Sequence, residues 1–467
     1  MPDAVCLDRS LPVAIIGGGP VGLAAAAHLI ERGLRPCVFE AGSEAGTAVR
    51  EWRHVRMFTP WRFNLDAAAR RLLEAEGWKA PDADAFPTGA DLFAVYLAPL
   101  ATALANAGAD IRYNAKVVGV SRRHHDRLRE GQRAAGRGRN TAPFVLHLAS
   151  PDGSIQVIEA SAVIDCTGTW NSPNPAGAHG LPAPGEAANA DRIAYGIPDA
   201  LGVSRGTYAG ATTLVLGGGH SAMNAVLDLV ALARQAPNTR IIWAFRRPLA
   251  EVNFGGGDAD GLAARGTLGA KANALIESGQ VQALAPFLVH GIKREGDRLL
   301  VHGDRGGNAD MVLTDRIIVA TGFRPDLSWI GEMRLSLDPA VQATPSLAPL
   351  IDPNLHSCGT VRPHGEAELR HPDEPGFYVA GMKAYGRAPT FLLATGYEQV
   401  RSIAALLAGD IAAARRVELV LPETGVCSTQ RPASVSAATG ECCGPSRASA
   451  PVRTHVVTAA CCGPIPR

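Results

Sequence analysis

Three glycines and one acid near the start of the chain have the spacing to hold a pyrophosphate. Gly17, Gly19 and Gly22 stand in GxGxxG spacing behind an apolar run, and Glu40 closes the next apolar run. The first glycine permits a tight turn, the second brings backbone close to phosphate, and the third lets a helix pack on a strand. A helix starting there offers free N–H groups and the positive end of its dipole. A carboxylate on the second strand accepts hydrogen bonds from ribose hydroxyls. The pattern returns mid-chain as Gly217, Gly219 and Ala222, with His220 and Ser221 inside the turn. No acid follows it. Arg246 and Arg247 stand after the next apolar run, in the place Glu40 has in the first unit. Arginine there favours a ribose 2′-phosphate, so the second unit reads as a site for NADPH rather than NADH. The alternative is two surface charges. His220 suits contact with nicotinamide or phosphate, or a helix cap.

The elements that must position these residues are legible around them. Residues 13–16 suit a buried parallel strand, a helix runs to about 32, Gly33 stops it, and a second strand spans 37–39. The second unit repeats this with a strand at 213–216, a helix to about 234 and a strand at 241–245. SAVIDCTGTW and DRIIVATGFRPD each run from a β-rich strand into a Thr-Gly turn, at Thr167–Gly168 and Thr321–Gly322. Both turns would bring the chain tightly against a dinucleotide. A later strand at 377–380 ends at Gly381–Met382, and 395–407 has helical periodicity.

Composition bounds the function classes. The 467 residues suggest roughly two or three domains. A net charge of +1 with 46% apolar residues describes a globular protein with no pull toward nucleic acid or anionic membrane. The basic run 121–140 reads either as a phosphate patch or as a solvated loop between two strands. It lacks the interleaved aromatics that stack on bases, which favours the loop. The apolar stretch 13–30 lacks a basic n-region and clusters its glycines, so it is not a signal peptide, and no other segment reaches bilayer length. The expectation is a cytoplasmic protein without membrane or nucleic-acid partners. Nine irregularly spaced cysteines do not form a secreted disulfide framework.

This organisation resembles the two-dinucleotide-binding-domain flavoproteins, on Gly17, Gly19, Gly22, Glu40, Gly217, Gly219, Ala222 and the two Thr-Gly turns. The resemblance implies an α/β fold with two Rossmann-like domains, an NADPH domain inserted into an FAD domain. FAD would be bound by 1–200 and 327–412, NADPH by 201–326, and 413–467 would be a flexible, disordered tail containing cysteines. One residue departs from the family. After the last flavin strand the family carries Gly-Asp, the Asp bonding the flavin ribitol, whereas this chain has Gly381–Met382. Methionine cannot replace that acceptor comparably.

A disulfide reductase of this family needs CxxC or CxxxxC beside the flavin. No such pair occurs between residues 1 and 410. Reduced flavin would then pass its electrons to oxygen, making a monooxygenase. The FxGxxxHxxx signature of one monooxygenase subgroup is not matched by YGIPDALGVSRGTYAG before the second turn. The segment 51–66, rich in arginine and aromatics, follows the first unit where related flavoproteins bring a loop toward the isoalloxazine. Arg53, His54, Thr59, Pro60 and Trp61 are its candidates for flavin or substrate contact, the alternative being an aromatic loop packed on the next helix. No catalytic acid or base is marked.

After about residue 415 small and polar residues dominate, too apolar-poor to fold alone. Two Cys-Cys-Gly-Pro copies place Cys442, Cys443, Cys461 and Cys462 there, near Cys427. Adjacent thiols on a tether suit a soft ion such as trivalent arsenic, mercury or copper(I), a vicinal disulfide, or no function. The chain also looks like the flavin-dependent monooxygenases of bacterial arsenic-resistance operons, on EWRHVRMFTPWRFNLD, HSCGTVRPHG and GMKAYGRAPTFLLATGYEQVRSI. That likeness implies oxidation of trivalent arsenicals to pentavalent forms with NADPH and O2, through a C4a-peroxyflavin. Cys358 would then bind substrate arsenic, or be a buried structural cysteine. The competing readings are a monooxygenase of an organic amine or sulfide, and a thiophilic-ion-binding flavoprotein without turnover.

Overall fold

The computed structural model describes residues 7–419 apart from 133–136, 151, 253, 255–261, 356–361 and 390. Cys358 and the whole cysteine tail lie outside these described residues. So the expected tail and its metalloid ligands Cys442, Cys443, Cys461 and Cys462 have no structural account.

Two five-stranded parallel sheets organise the chain. The first has the order Phe377–Val379, Ala162–Asp165, Val13–Ile16, Pro36–Phe39, Asp110–Arg112. Its inner strands are buried along their whole length, as expected for a sheet covered on both faces. The second has the order Ile193–Tyr195, Arg316–Val319, Thr212–Leu216, Arg240–Ala244, Gln282–Leu284. Each sheet is accompanied by a three-stranded antiparallel meander, 116–160 for the first and 288–314 for the second. In both units the chain leaves the meander into the strand beside the glycine strand. The expected α/β architecture of two Rossmann-type units is therefore present. The second sheet takes its first strand from Ile193–Tyr195, ahead of the boundary expected at 201, because that strand pairs in parallel with Ile317–Val319.

Helix Pro20–Glu31 is almost wholly buried, Leu23 to Ala26 and Leu29 being fully enclosed. Alanines at these positions let it lie close to both the sheet and helix Leu393–Leu407, which packs along it. The helical stretch Gly89–Asn106 is long and apolar enough to cross a membrane, contrary to the expectation that no segment besides 13–30 reached that length. Its Leu92, Tyr96, Leu97, Leu100 and Leu104 are fully buried in the first core, which accounts for the apolar run without a bilayer.

The basic run 121–140 is not the fully solvated loop expected. Arg122 and Arg139 are buried on one carboxylate, Glu374: Arg122 Nε lies 2.7 Å from Oε1 and Arg139 Nη1 lies 2.6 Å from Oε2. Arg122 also stacks over Phe144, 3.6 Å from the ring centre. Those charges hold the meander to the loop before the last strand of the first sheet, 252 residues away for Arg122.

Candidate functional site

The first glycine turn is shaped by what surrounds each glycine. Gly17 has φ +101, and a Cβ there would lie 2.7 Å from the Cys166 carbonyl oxygen. A Cβ on Gly22 would lie 1.9 Å from the Gly17 carbonyl oxygen, whereas one on Gly19 would meet nothing within 4 Å. Gly17 and Gly22 thus close the turn, and Gly19 leaves its outer side open to a ligand. Gly19 caps helix Pro20–Glu31 without any side-chain hydrogen bond, so the first-turn N–H groups stay available. Glu40 accepts from Gly18 N at 2.7 Å and Gly42 N at 2.8 Å, one bond to each oxygen. A carboxylate has about four acceptor sites, so lone pairs remain for ribose hydroxyls. The donor set and the open Gly19 side fit FAD.

The second turn repeats the geometry. Gly217 has φ +125, and its Cβ would lie 2.3 Å from the Ala320 carbonyl oxygen, while Gly219 is again open. Ala222 is fully buried against the sheet. Register corrects one expectation. Gly17 N donates to Phe39 O and Gly217 N donates to Ala244 O. Phe245, not Arg246, therefore occupies the place of Glu40, and Phe245 is 2% exposed. Arg246 and Arg247 follow one and two residues later. Both are exposed and make no hydrogen bond or ion pair among the described residues.

The two Thr-Gly turns are the paired crossings between the units. Thr321 Oγ1 donates to Asn174 O at 3.1 Å, and Asn174 N donates to Gly322 O at 2.9 Å. Trp170 stacks on Phe323 with ring centres 5.2 Å apart. The outgoing and returning strands of chain are thereby laced side by side. Gly168 and Gly322 have φ +66 and +89, the left-handed turns that glycine alone adopts freely. Thr167 donates from its N and Oγ1 to Asp165 Oδ1, at 3.0 and 2.7 Å. The other oxygen of Asp165 lies 2.6 Å from Lys383 Nζ, in a pair at most 1% exposed. Lys383 also sits 4.4 Å from the Trp329 ring centre. It ties the turn after Gly381–Met382 to the end of strand Ala162–Asp165. Sequence reasoning missed this pair; an acid ending the otherwise apolar AVID strand was its only signal.

In the segment 51–66, Arg53 is exposed and His54 half-buried, with Nε2 buried and lacking a hydrogen-bond partner among the described residues. Phe58 reaches the second unit, its ring centre 5.3 Å from that of His220. Thr59, Pro60 and Trp61 are buried, and Asn64 pins them by donating to Thr59 O and Pro60 O at 2.8 and 3.1 Å. Tyr397 OH donates to Asn64 O at 2.9 Å, fastening the segment to helix Leu393–Leu407. The latter half is therefore an anchor, and Phe58 of the first half meets the second unit through His220. The described cysteines do not form a redox pair. Burial, with Asp110 beside it, pushes the Cys37 thiol up to about 12, and burial raises Cys166 well above its usual range. Neither is a thiolate at neutral pH.

Residues 12–94 match the family model described as FAD dependent oxidoreductase. No curated protein matches the chain. Among solved structures, a bacillithiol disulfide reductase from Bacillus cereus is 18% identical, with 87% of this chain and 99% of that one covered and a TM-score of 0.60. A flavin-containing monooxygenase from Stenotrophomonas maltophilia is 21% identical, with 86% and 98% covered and a TM-score of 0.53. A cadaverine monooxygenase from Erwinia amylovora, bound to FAD, is 14% identical, with 90% and 98% covered and a TM-score of 0.57. Residues 12–94 thus match the nucleotide-binding unit of FAD-dependent oxidoreductases, within a fold shared by a disulfide reductase and monooxygenases.

Proposed function

We propose that the chain is an FAD-dependent, NADPH-consuming monooxygenase that oxidises trivalent inorganic or organic arsenicals. The observation that carries the oxygenase reading is the site's thiol chemistry. Phe58 of the 51–66 segment meets His220 of the second dinucleotide turn, yet both described cysteines are buried, protonated and single. Bound FAD would take hydride from NADPH and supply the oxygen chemistry. The chain's own part is to hold the two dinucleotides, orient them through the laced crossings, and cover the junction with the 51–66 segment. The arsenical reading rests on the two Cys-Cys-Gly-Pro copies and on the likeness to arsenic-resistance monooxygenases. An amine substrate is the second reading, favoured by the amine named for the Erwinia amylovora enzyme.

The test is to follow NADPH oxidation and O2 uptake with arsenite, a methylated trivalent arsenical or a diamine present, identifying products by chromatography. Arsenical-stimulated turnover yielding a pentavalent product supports the proposal. Stimulation by the amine alone transfers it to the second reading. NADPH oxidation unresponsive to every substrate sinks both. Truncation to remove the tail belongs after Leu419. Arg401 is buried against Glu398 and reaches Glu418 at 3.7 Å, so an earlier cut would unfasten helix Leu393–Leu407. Unchanged arsenical turnover in that truncation would separate the tail from the reaction.

Replacing Arg246 and Arg247 together by alanine is expected to weaken NADPH by about 2 kcal/mol, roughly thirtyfold in KM, and leave NADH within a factor of about three. Steady-state kinetics with both nucleotides measure it. Equal losses would remove the 2′-phosphate role.

A further inference from the structure

The turn where the family has Gly-Asp is held in this chain by a buried relay. Gly381 leaves the last strand of the first sheet at φ +74, and its N–H donates to Gln399 Oε1 at 2.7 Å. Gln399 is fully buried on helix Leu393–Leu407. Its Nε2 lies 2.9 Å from His364 Nε2, and His364 Nδ1 lies 3.1 Å from Arg362 O. The roles follow from what each group is able to do. A carbonyl only accepts, so His364 Nδ1 carries the proton and donates to Arg362. An amide nitrogen only donates, so His364 Nε2 is bare and accepts from Gln399. Gln399 has one orientation that satisfies both neighbours.

The surroundings of His364 keep it in that form. Burial lowers its proton affinity below the ordinary imidazole range, opposed by the Arg362 carbonyl and the carboxylates of Glu368 and Glu398. The Tyr385 ring lies 5.5 Å from it, centre to centre. A Cβ on Gly381 would lie 3.4 Å from the side chain of Val21, the second residue of helix Pro20–Glu31, and a Cβ on Gly396 would lie 2.7 Å from the same side chain. The first turns of two helices and the Gly381 turn thus converge on Val21.

We propose that Gln399 and His364 are positioning residues that set the Gly381–Met382 turn for the flavin through its backbone, and that protonation of His364 releases it. This rests on the FAD reading above. A carboxylate side chain is not available at Met382, so the contact passes to peptide groups. Gly381 N–H is taken by Gln399, and the Met382 N–H is the next open donor of that first helical turn. With His364 doubly protonated, Nε2–H faces the Gln399 amide nitrogen, donor against donor. Gln399 relieves this by flipping, and its NH2 then faces the Gly381 N–H. Either orientation leaves one buried donor without an acceptor, so the turn loosens as pH falls through the His364 range.

The experiment titrates FAD into the full-length chain, stripped of flavin, across the acid range, read by flavin fluorescence, with circular dichroism on each apoprotein. Wild type is expected to lose FAD affinity as His364 protonates. Gln399→Glu is expected to keep it there, since a carboxylate accepts from both Gly381 N–H and protonated His364. Gln399→Leu is expected to bind about tenfold more weakly at every pH. Superimposable profiles in wild type and Gln399→Glu overturn the proposal, as does a flat wild-type profile if Gln399→Glu does not fold. Wild-type protein that takes up no FAD at any pH overturns the FAD reading along with it.

Discussion

Gly22→Ala is expected to give a protein without flavin. The added methyl would lie 1.9 Å from the Gly17 carbonyl oxygen and 3.4 Å from Ile15 Cγ2. The first is backbone of the very turn that holds the pyrophosphate, so relief must come by opening that turn. Overpacking a tight site costs up to about 3 kcal/mol, which in binding is roughly a hundredfold. Gly19→Ala separates binding from folding. Its methyl meets nothing of the protein within 4 Å, and it would project toward the phosphates of bound FAD. Gly19→Ala should melt like wild type yet lose FAD, whereas Gly22→Ala should lose both. Visible flavin absorbance and thermal melts measure the two. Normal flavin content in Gly22→Ala would show that the helix start shifts without disturbing the cradle.

Glu374→Ala is the second large effect, and it acts on stability. Glu374 is fully buried and carries both Arg122 and Arg139, with the Arg334 N–H also on Oε2 at 3.0 Å. Removing it strands two guanidinium groups that arginine cannot neutralise by losing a proton. Breaking a buried pair from one side costs about 3–5 kcal/mol, a large part of a typical stability of about 5–15 kcal/mol. The melting temperature is expected to fall by roughly 10 °C, or the protein to be insoluble. An unchanged melt would mean water reaches both arginines in the variant. The cluster joins the meander to the loop before strand Phe377–Val379 and touches neither glycine turn, so any soluble Glu374→Ala should still bind FAD.

Much of the fold was legible because its determinants are local. The GxGxxG spacing, the apolar strand before it and the Ala-rich helix after it act within about twenty residues, and steric exclusion of a Cβ is a property of that short loop. The Thr-Gly turns were legible for the same reason, since a left-handed φ after a β-rich run selects glycine. The latter part of 51–66 was ambiguous from composition alone. Aromatics serve a core as readily as a ligand, and only burial of Thr59 and Trp61 beside exposed Arg53 separates the two uses within one segment.

What the sequence by itself determined is the pair of nucleotide turns and the lack of a spaced dithiol, both matters of neighbouring residues. The tertiary structure decided what stands opposite what. It set Phe245 in the place of Glu40, because strand register is fixed by the hydrogen bond from Gly217 to Ala244 and not by counting residues. It paired Lys383 with Asp165, and His364 with Gln399 and Gly381. Those partners come from distant stretches of chain, brought together only when the last strand and its helix close the first sheet. A buried polar group must find a partner wherever the fold brings one, and sequence distance carries no record of that choice.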